Sequence, residues 1–152
     1  MRRKSLSIEA KITNLDKVTD FVRAELEEID FSSEQIMKIC LAVEEVFVNI
    51  AHYAYGKLDP MRNIIPDSGT GQAEIIIEAD DSRVTLTFID EGREYNPLGK
   101  DDPDITIPAK DREVGGLGIF MVKNLMDEMS YRYEDGKNIL SITQIKAKKE
   151  NL

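Results

Sequence analysis

Residues 113–124, EVGGLGIFMVKN, decide the fold of this chain. Gly115, Gly116 and Gly118 stand where a charged, turn-rich segment gives way to an apolar run with helical spacing. The pattern predicts a glycine-rich loop that opens a helix, where the backbone can approach a ligand because no Cβ intervenes. The first N–H groups of a helix lack partners within it and lie at the positive end of its dipole, so phosphate is the favoured occupant. Glycines that merely turn the chain before a helix would give the same pattern.

The bulk composition is that of an ordinary globular protein. The 152 residues are 41% hydrophobic and 32% charged, and we expect residues 1–152 to form a single domain with a buried core. The net charge of −9 argues against a nucleic-acid surface, which needs clustered cations. No run approaches the roughly 18 apolar residues of a membrane span, and the basic N-terminus lacks the apolar core of a signal peptide. We therefore expect a cytoplasmic protein without a membrane or nucleic-acid partner.

Apolar periodicity predicts three helices. Asn14 is placed to cap the first helix, and Ser32 or Ser33 the second. The single cysteine, Cys40, lies in the apolar stripe of the second helix and is expected to be a small core residue. The predicted helices span about 15–29, 33–54 and 117–129.

Alternating apolar positions predict a first strand and two later hairpins. The links within the hairpins are Asp80-Asp81-Ser82 and Asp135-Gly136. Residues 56–72, with two prolines and three glycines, should be irregular. Because hairpins give a mostly antiparallel sheet, and three helices then cover one of its faces, the sequence predicts an α+β fold, a two-layer sandwich. The predicted strands are 5–13, 73–79, 83–89, 130–134 and 138–146.

The second helix carries a polar row beside its apolar stripe. Glu45 and Asn49 are four residues apart and share one face, with His52 and Tyr53 three and four residues beyond Asn49. A solvated helix face would look the same. An asparagine carbonyl with carboxylate-held waters also suits Mg²⁺, and a carboxylate beside a metal-bound phosphate can orient or deprotonate an attacking hydroxyl.

A further polar pair, Asp90 and Gly92, directly follows an apolar strand. A carboxylate partly buried at that point needs a donor partner. An adenine exocyclic amine would serve, and Gly92 would let the base lie against the backbone. An Asp-x-Gly turn, in which Asp90 accepts hydrogen bonds from backbone N–H groups, explains the same residues at least as well.

The connection before the glycine loop, residues 98–114, is long for a segment without predicted structure. Such a length is typical of a functional loop or of a disordered one. Its cations are Lys100, Lys110 and Arg112. Lys110 and Arg112 are candidates for contacting phosphate as a lid closes, whereas Lys100 is expected to be a solvated cation.

Three motifs stand in a fixed order: E-x-x-x-N on a helix, D-x-G after a strand, and G-G-x-G opening a helix. This arrangement resembles the GHKL ATPase superfamily, whose Bergerat fold would cover essentially the whole chain. Within that superfamily it looks most like the bacterial anti-sigma-factor serine/threonine protein kinases. The segments that carry the resemblance are LAVEEVFVNIAHYAY (41–55), FIDEGREYNP (88–97) and GGLGIFMVKNLMDEMSY (115–131).

The resemblance implies a role for each matching residue. Glu45 would be the catalytic base or would position the nucleophile, and Asn49 would coordinate Mg²⁺. Asp90 would read the adenine amine, with Gly92 beneath the base. ATP and Mg²⁺ as cofactors, and a homodimeric state, are implied in the same way. The loop that cradles the phosphates would consist of Gly115, Gly116, Leu117 and Gly118.

Two features depart from the family pattern. The family often has His-Ala-Tyr where this chain has Tyr53-Ala54-Tyr55, and the only histidine, His52, stands one position earlier. We assign His52 to the helix surface and not to catalysis. Residues 56–72 are also longer than a simple turn needs, and such a loop can remodel the surface that meets a protein partner.

Two functional hypotheses follow from the resemblance. In the first, the chain is an ATP- and Mg-dependent serine/threonine protein kinase that acts as an anti-sigma factor. It would phosphorylate a small anti-anti-sigma-type partner on a hydroxyl and sequester a sigma factor. In the second, it is a nucleotide-gated protein-binding module without significant kinase turnover, in which ATP orders the 98–114 lid. The retained Glu45, Asn49 and Asp90 disfavour an ATP-free descendant of the fold.

Overall fold

A computed structural model describes residues 1–99 and 116–147, apart from the side chain of Leu117. In these residues a five-stranded sheet packs against three α-helices, and a separate two-stranded hairpin follows the second helix. None of the described helices is both long enough and apolar enough to cross a membrane. The elements are β1 (Arg2–Glu9), α1 (Leu15–Glu28), α2 (Ser33–Asn49), β2 (Lys57–Leu58), β3 (Ile64–Ile65), β4 (Gln72–Ala79), β5 (Arg83–Asp90), α3 (Gly116–Leu125), β6 (Glu128–Glu134) and β7 (Lys137–Ile145).

The main sheet has the order β1-β4-β5-β7-β6, and every neighbouring pair is antiparallel. Asp80 closes the β4–β5 hairpin, because its Oδ1 accepts hydrogen bonds from the N–H groups of Ser82 at 2.7 Å and Arg83 at 3.0 Å. Asp135 and Gly136 close the β6–β7 hairpin with φ values of 53° and 76°, the left-handed geometry of a tight hairpin turn. Both predicted hairpins are confirmed.

The core lies between the sheet and the helices. Alternate residues of the central strands, among them Ile75, Leu86 and Ile142, are fully buried, as the two-residue period of a strand requires. The helices contribute apolar residues at three- and four-residue spacing, as an amphipathic helix does. Cys40 is buried as predicted, and burial raises the pKa of its thiol. The helical members of the core include Val18, Val22, Leu26, Ile39, Val43, Val46 and Phe47.

The predicted bounds are wrong at both ends of the first segment. The first strand is Arg2–Glu9 and not 5–13, because residues Ile12–Asn14 form a 3-10 turn that leads into α1. Asn14 precedes α1 without capping it, since its amide donates to the carbonyl of Glu9 at 2.8 Å. The predicted serine cap of α2 is confirmed at Ser32, whose hydroxyl accepts from the N–H of Gln35 at 3.2 Å.

The third helix is shorter than the predicted 117–129. It ends at Leu125, and β6 begins at Glu128 by pairing with Thr143 of β7. The apolar spacing of the residues after Leu125 also suits a helix. They join the sheet instead because they pair with β7, a partner strand that local periodicity does not reveal.

The second helix and the segment after it also differ from expectation. The α-helical part ends at Asn49, and Ile50–Ala54 continue as a π-helical turn. Residues 56–72, predicted to be irregular, contain the paired strands β2 and β3.

Candidate functional site

The polar row of α2 lies beside the buried stripe that anchors this helix to the sheet. Val43, Val46 and Phe47 are buried, whereas Glu45 and Asn49 are half-buried and one turn apart. Neither the carboxylate of Glu45 nor the amide of Asn49 has a hydrogen-bond partner among the described residues.

The carboxylate of Glu45 lies against the first turn of α3. A Cβ added at Gly118 would overlap Oε2 of Glu45 and would stand 3.4 Å from its Cδ. Gly118 is the third residue of α3, which begins at Gly116. The missing side chain at Gly118 thus makes room for Glu45 beside the positive end of the helix dipole.

Asp90 ends β5 with its side chain in the buried register. It is 6% exposed, and its Oδ1 accepts from the N–H of Gly92 at 2.9 Å and from the amide of Asn138 at 3.0 Å. Burial raises the pKa of the Asp90 carboxyl, and these two hydrogen bonds oppose the rise. The Asp-x-Gly turn is therefore present, and both bonds fall on one carboxylate oxygen.

Asn138 holds this region together, and the sequence reasoning missed it. Besides Asp90, its amide donates to the carbonyls of Arg93 at 2.9 Å and Gly92 at 3.3 Å. Its Oδ1 accepts from the hydroxyl of Tyr131 at 2.5 Å and from the N–H of Tyr95 at 3.1 Å. A polar residue in step with the inward-facing positions of β7 was the available signal, since a buried amide must find partners.

The turn after β5 packs against the end of the helical segment. A Cβ at Gly92 would overlap the carbonyl oxygen of Ala54 and would lie 2.7 Å from its Cβ. The N–H of Arg93 donates to that carbonyl at 2.9 Å, and its guanidinium donates to the carbonyl of Gly56 at 3.0 Å. Packing against Ala54 explains why position 92 lacks a side chain, and its place beneath a base stays a prediction.

Tyr55 takes a bridging position in the segment that departs from the family pattern. Its hydroxyl donates to the carbonyl of Gln72 and accepts from the N–H of Glu91 at 2.9 Å. Burial raises the pKa of the Tyr55 hydroxyl. Tyr55 therefore joins the π-helical turn to the beginning of β4 and the end of β5.

His52 lies at the helix surface, as the sequence analysis assigned it. Its Nδ1 is 2.7 Å from Oδ1 of Asp67, and its carbonyl accepts from the N–H of the same residue at 3.1 Å. These contacts tie the π-helical turn to the following loop and give His52 a structural place.

One cavity of about 680 Å³ brings together one residue from each of two motifs, whereas Glu45, Gly92 and Gly118 are not among its lining residues. Asn49 and Asp90 both line it, and its volume is in the range of small-molecule and cofactor sites. The walls are largely apolar with a few polar groups, which is typical of such sites. The lining residues are Val46, Asn49, Ile50, Tyr53, Ala54, Arg62, Asn63, Ile64, Pro66, Phe88, Asp90, Arg93, Glu94, Tyr95, Pro97, Ile119, Tyr131, Asn138 and Leu140.

The donor set at Asn49 fits a Mg²⁺ ion shared with a nucleotide. Among residues 1–99 and 116–147, no three His, Cys, Asp or Glu side chains cluster so as to hold a metal. Mg²⁺ needs no such cluster, because one or two protein oxygens, phosphate oxygens and waters complete its octahedron. The unpartnered amide of Asn49 at the cavity wall supplies an oxygen of the required kind.

Several predicted site residues fall outside the described part of the chain. They are Lys110, Arg112 and Gly115; Lys100, expected to be a solvated cation, also lies outside the described residues. The backbone of Gly116 and Leu117 forms the first residues of α3, in line with a glycine-rich segment that opens a helix. Their contacts with phosphate stay predictions.

Comparison with known proteins agrees with this geometry. The histidine kinase-like ATPase domain family matches residues 8–144. The chain therefore belongs to this family, and it is a GHKL ATPase domain. Within the class it resembles the RsbW serine-protein kinases.

Two of these relatives show the extent of the likeness. Serine-protein kinase RsbW of Staphylococcus epidermidis is 30% identical over 112 residues, which cover 70% of this chain and 64% of that kinase. Serine-protein kinase RsbW of Bacillus licheniformis is 24% identical over 149 residues, which cover 91% of this chain and 86% of the kinase.

A solved structure shows the same fold. The RsbU and RsbW domains of Rv1364c from Mycobacterium tuberculosis superpose with a TM-score of 0.64 at 17% identity, over 97% of this chain and 34% of that one. The predicted α+β sandwich, with an antiparallel sheet covered by three helices, is confirmed.

Proposed function

We propose that this chain is an ATP- and Mg²⁺-dependent serine/threonine protein kinase that acts as an anti-sigma factor. Its substrate would be a hydroxyl of a small anti-anti-sigma-type protein. The observation that carries the proposal is the shared cavity, because Asn49 and Asp90 line the same space and Glu45 lies one helical turn from Asn49. The similarity to RsbW serine-protein kinases supports the reaction class.

The two ends of the cavity fit the two ends of ATP. Asp90 supplies a carboxylate acceptor for the exocyclic amine of adenine, next to the turn that packs on Ala54. Asn49 lines the same cavity, and Glu45, one helical turn before it, lies against the first turn of α3. Nine residues separate Glu45 from Ala54, which is roughly 13 Å along a helix. The phosphates would therefore extend toward Asn49 and the beginning of α3, where unpaired N–H groups favour anions.

Glu45 would act on the hydroxyl of the protein substrate. As the hydroxyl proton passes to the Glu45 carboxylate, the hydroxyl oxygen bonds to the γ-phosphorus. The bond from that phosphorus to the β,γ-bridging oxygen breaks, and ADP leaves. The amide oxygen of Asn49 would hold Mg²⁺, which when bound neutralises charge on the phosphates.

Transfer from γ-labelled ATP to an anti-anti-sigma-type protein tests the proposal. Glu45→Gln should slow transfer by roughly 10²- to 10⁴-fold, the usual contribution of a positioned base, while calorimetry shows nearly unchanged ATP binding. Glu44→Gln is the matched control, because the neighbouring carboxylate is exposed on the outer side of α2. Its transfer rate should equal that of the unaltered chain.

Each alternative outcome identifies a different error. A tight ATP-dependent complex without transferred phosphate would replace the kinase with a nucleotide-gated binding module. Full activity of Glu45→Gln would remove Glu45 from the reaction. The proposal also includes sequestration of a sigma factor, a homodimer and a cytoplasmic location. Pull-down with and without Mg-ATP, sedimentation and cell fractionation test these three parts.

A further inference from the structure

Residues 57–65 form a hairpin with a tightly bonded turn, here called the 57–65 hairpin. Leu58 pairs with Ile64, and Asp59 closes the turn. Oδ1 of Asp59 accepts from the N–H groups of Met61 at 2.9 Å and Asn63 at 2.8 Å, and its carbonyl accepts from that of Arg62 at 2.8 Å. This segment is therefore a built element and not an irregular connection.

The hairpin is fixed to the end of the cavity where Asp90 lies, here called the base end because the adenine base is proposed to bind there. Gly56, at its beginning, accepts a hydrogen bond from Arg93 of the turn that packs on Ala54. At its other end, the hydroxyl of Ser68 accepts from the N–H of Lys57 and donates to the carbonyl of Ile65, both at 2.6 Å. These anchors place the hairpin beside the turn that follows Asp90.

The hairpin places Arg62 at the cavity wall. Arg62 lines the cavity together with Asn63, Ile64 and Pro66. Its side chain has no hydrogen-bond or ion-pair partner among the described residues, whereas the guanidinium of Arg93, also in the lining, is bonded to a carbonyl. The backbone of Arg62 has a φ of 65°, a left-handed conformation that arginine seldom adopts. Residues held in such conformations often serve to contact ligands.

We infer that the 57–65 hairpin covers the base and ribose of the bound nucleotide, with the guanidinium of Arg62 stacked on the face of the adenine. The planar guanidinium stacks on aromatic rings, including nucleobases. Ile64 and Pro66 continue the cover with an apolar surface. The inference rests on nucleotide binding in the proposed function. It assigns the 57–65 hairpin to nucleotide recognition rather than to contact with the protein partner.

Stacking on the base has a distinct signature. The contact is the same whether the nucleoside carries three phosphates or none. Loss of the guanidinium should therefore weaken ATP, ADP and adenosine by one common factor. A guanidinium that binds phosphate would instead matter more as the number of phosphates rises.

Calorimetry with ATP, ADP and adenosine tests the inference on the full chain. Arg62→Asn removes the guanidinium but keeps a residue that tolerates the left-handed backbone. It should weaken all three ligands by roughly 3- to 20-fold, the size of a desolvated cation–π contact. Arg62→Lys should recover only part of the loss, because an ammonium group is not planar. Met61→Ala is the matched control, since Met61 is 83% exposed on the same turn.

The outcomes separate this inference from the proposed function. If the unaltered chain binds none of the three ligands, both are overturned. If it binds them and Arg62→Asn binds equally well, only the hairpin inference is overturned. A loss for ATP with none for adenosine would also overturn it, because that pattern belongs to a phosphate contact. All variants should melt at the temperature of the unaltered chain. If Arg62→Asn does not melt at that temperature, Arg62→Lys, which keeps the positive charge, repeats the test.

Discussion

The two ends of the cavity are built in opposite ways. At the base end, Asp90 is buried and bonded to Gly92 and Asn138, and Asn138 is bonded in turn to Tyr95 and Tyr131. Where the phosphates are proposed to lie, Glu45 and Asn49 are half-buried and have no hydrogen-bond partner among the described residues. Internal hydrogen bonds hold one carboxylate oxygen of Asp90, whereas Glu45 and Asn49 accept none from the described residues.

In the proposed function, this difference would separate recognition from reaction. A buried acceptor that must select one ligand has to be held in place before the ligand arrives, so its remaining bonding capacity is filled by protein. Groups that coordinate a metal or take up a proton must be free to do so. Glycine serves both ends, but for different reasons: at position 92 it admits a carbonyl, and at position 118 it admits a carboxylate.

After Glu45→Gln, the largest effect is expected from filling the space at Gly118. The added Cβ of Gly118→Ala would displace the flexible end of Glu45 and leave the backbone in place. Phosphate transfer should fall roughly 10²-fold, as misplacement by about 1 Å can cause. The melting temperature should not fall, since alanine favours a helix over glycine by about 1 kcal/mol. If Gly118→Ala transferred phosphate at the rate of the unaltered chain, the reactive position of the Glu45 carboxylate would not depend on the space beside α3.

The base end can be broken at its acceptor. Asp90→Asn replaces a carboxylate oxygen by an amide that can donate, so ATP affinity should fall roughly 10- to 100-fold by calorimetry, as for a hydrogen bond to a charged group. Asp81→Asn, in the exposed turn of the β4–β5 hairpin, is the control and should bind like the unaltered chain. Equal affinities for the two variants would contradict adenine recognition by Asp90.

Gly92→Ala should affect stability first. Its Cβ would meet the carbonyl of Ala54, a backbone atom that cannot give way cheaply. We expect a loss of about 1–3 kcal/mol in the free energy of unfolding, as for overpacking. For comparison, an added Cβ at Gly99 would find its nearest neighbour at 3.7 Å, and Gly99→Ala should change stability by less than about 0.5 kcal/mol. Similar stabilities of Gly92→Ala and Gly99→Ala would show that the turn after β5 moves to accept the added Cβ. The surroundings of Asp90 and of Glu45 would then differ less than the geometry indicates.

The smallest effect concerns pH. Burial raises the pKa of Asp90 above its ordinary value of 3.8, so the folded state holds this proton more tightly than the unfolded state. The resulting stabilisation is complete below the unfolded pKa and is lost as pH rises through the folded pKa. As the pH is lowered from neutral to about 4, the free energy of unfolding of the unaltered chain, measured in urea, should therefore rise relative to that of Asp90→Asn. A constant difference would mean that Asp90 titrates as it does when unfolded.

Much of the site was accessible from sequence because its parts are local patterns. The four-residue spacing of Glu45 and Asn49 fixes a shared helix face, and the apolar strand before Asp90 fixes its place at a strand end. The pattern did not reveal Asn138, because the value of a buried amide depends on which strand lies beside it. Nor did it reveal the 57–65 hairpin, because the two prolines and three glycines of residues 56–72 are typical of irregular segments.

The sequence by itself determined the helices, the hairpins, the antiparallel sheet and the residue types suited to a nucleotide. Periodicity and turn chemistry act over a few residues, so these features need no knowledge of distant contacts. Only the tertiary structure decided where α3 ends, which partners hold Asp90, and why positions 92 and 118 have no side chain. These depend on segments far apart in the chain that pack at van der Waals distance, where a single Cβ or a paired strand outweighs local preference.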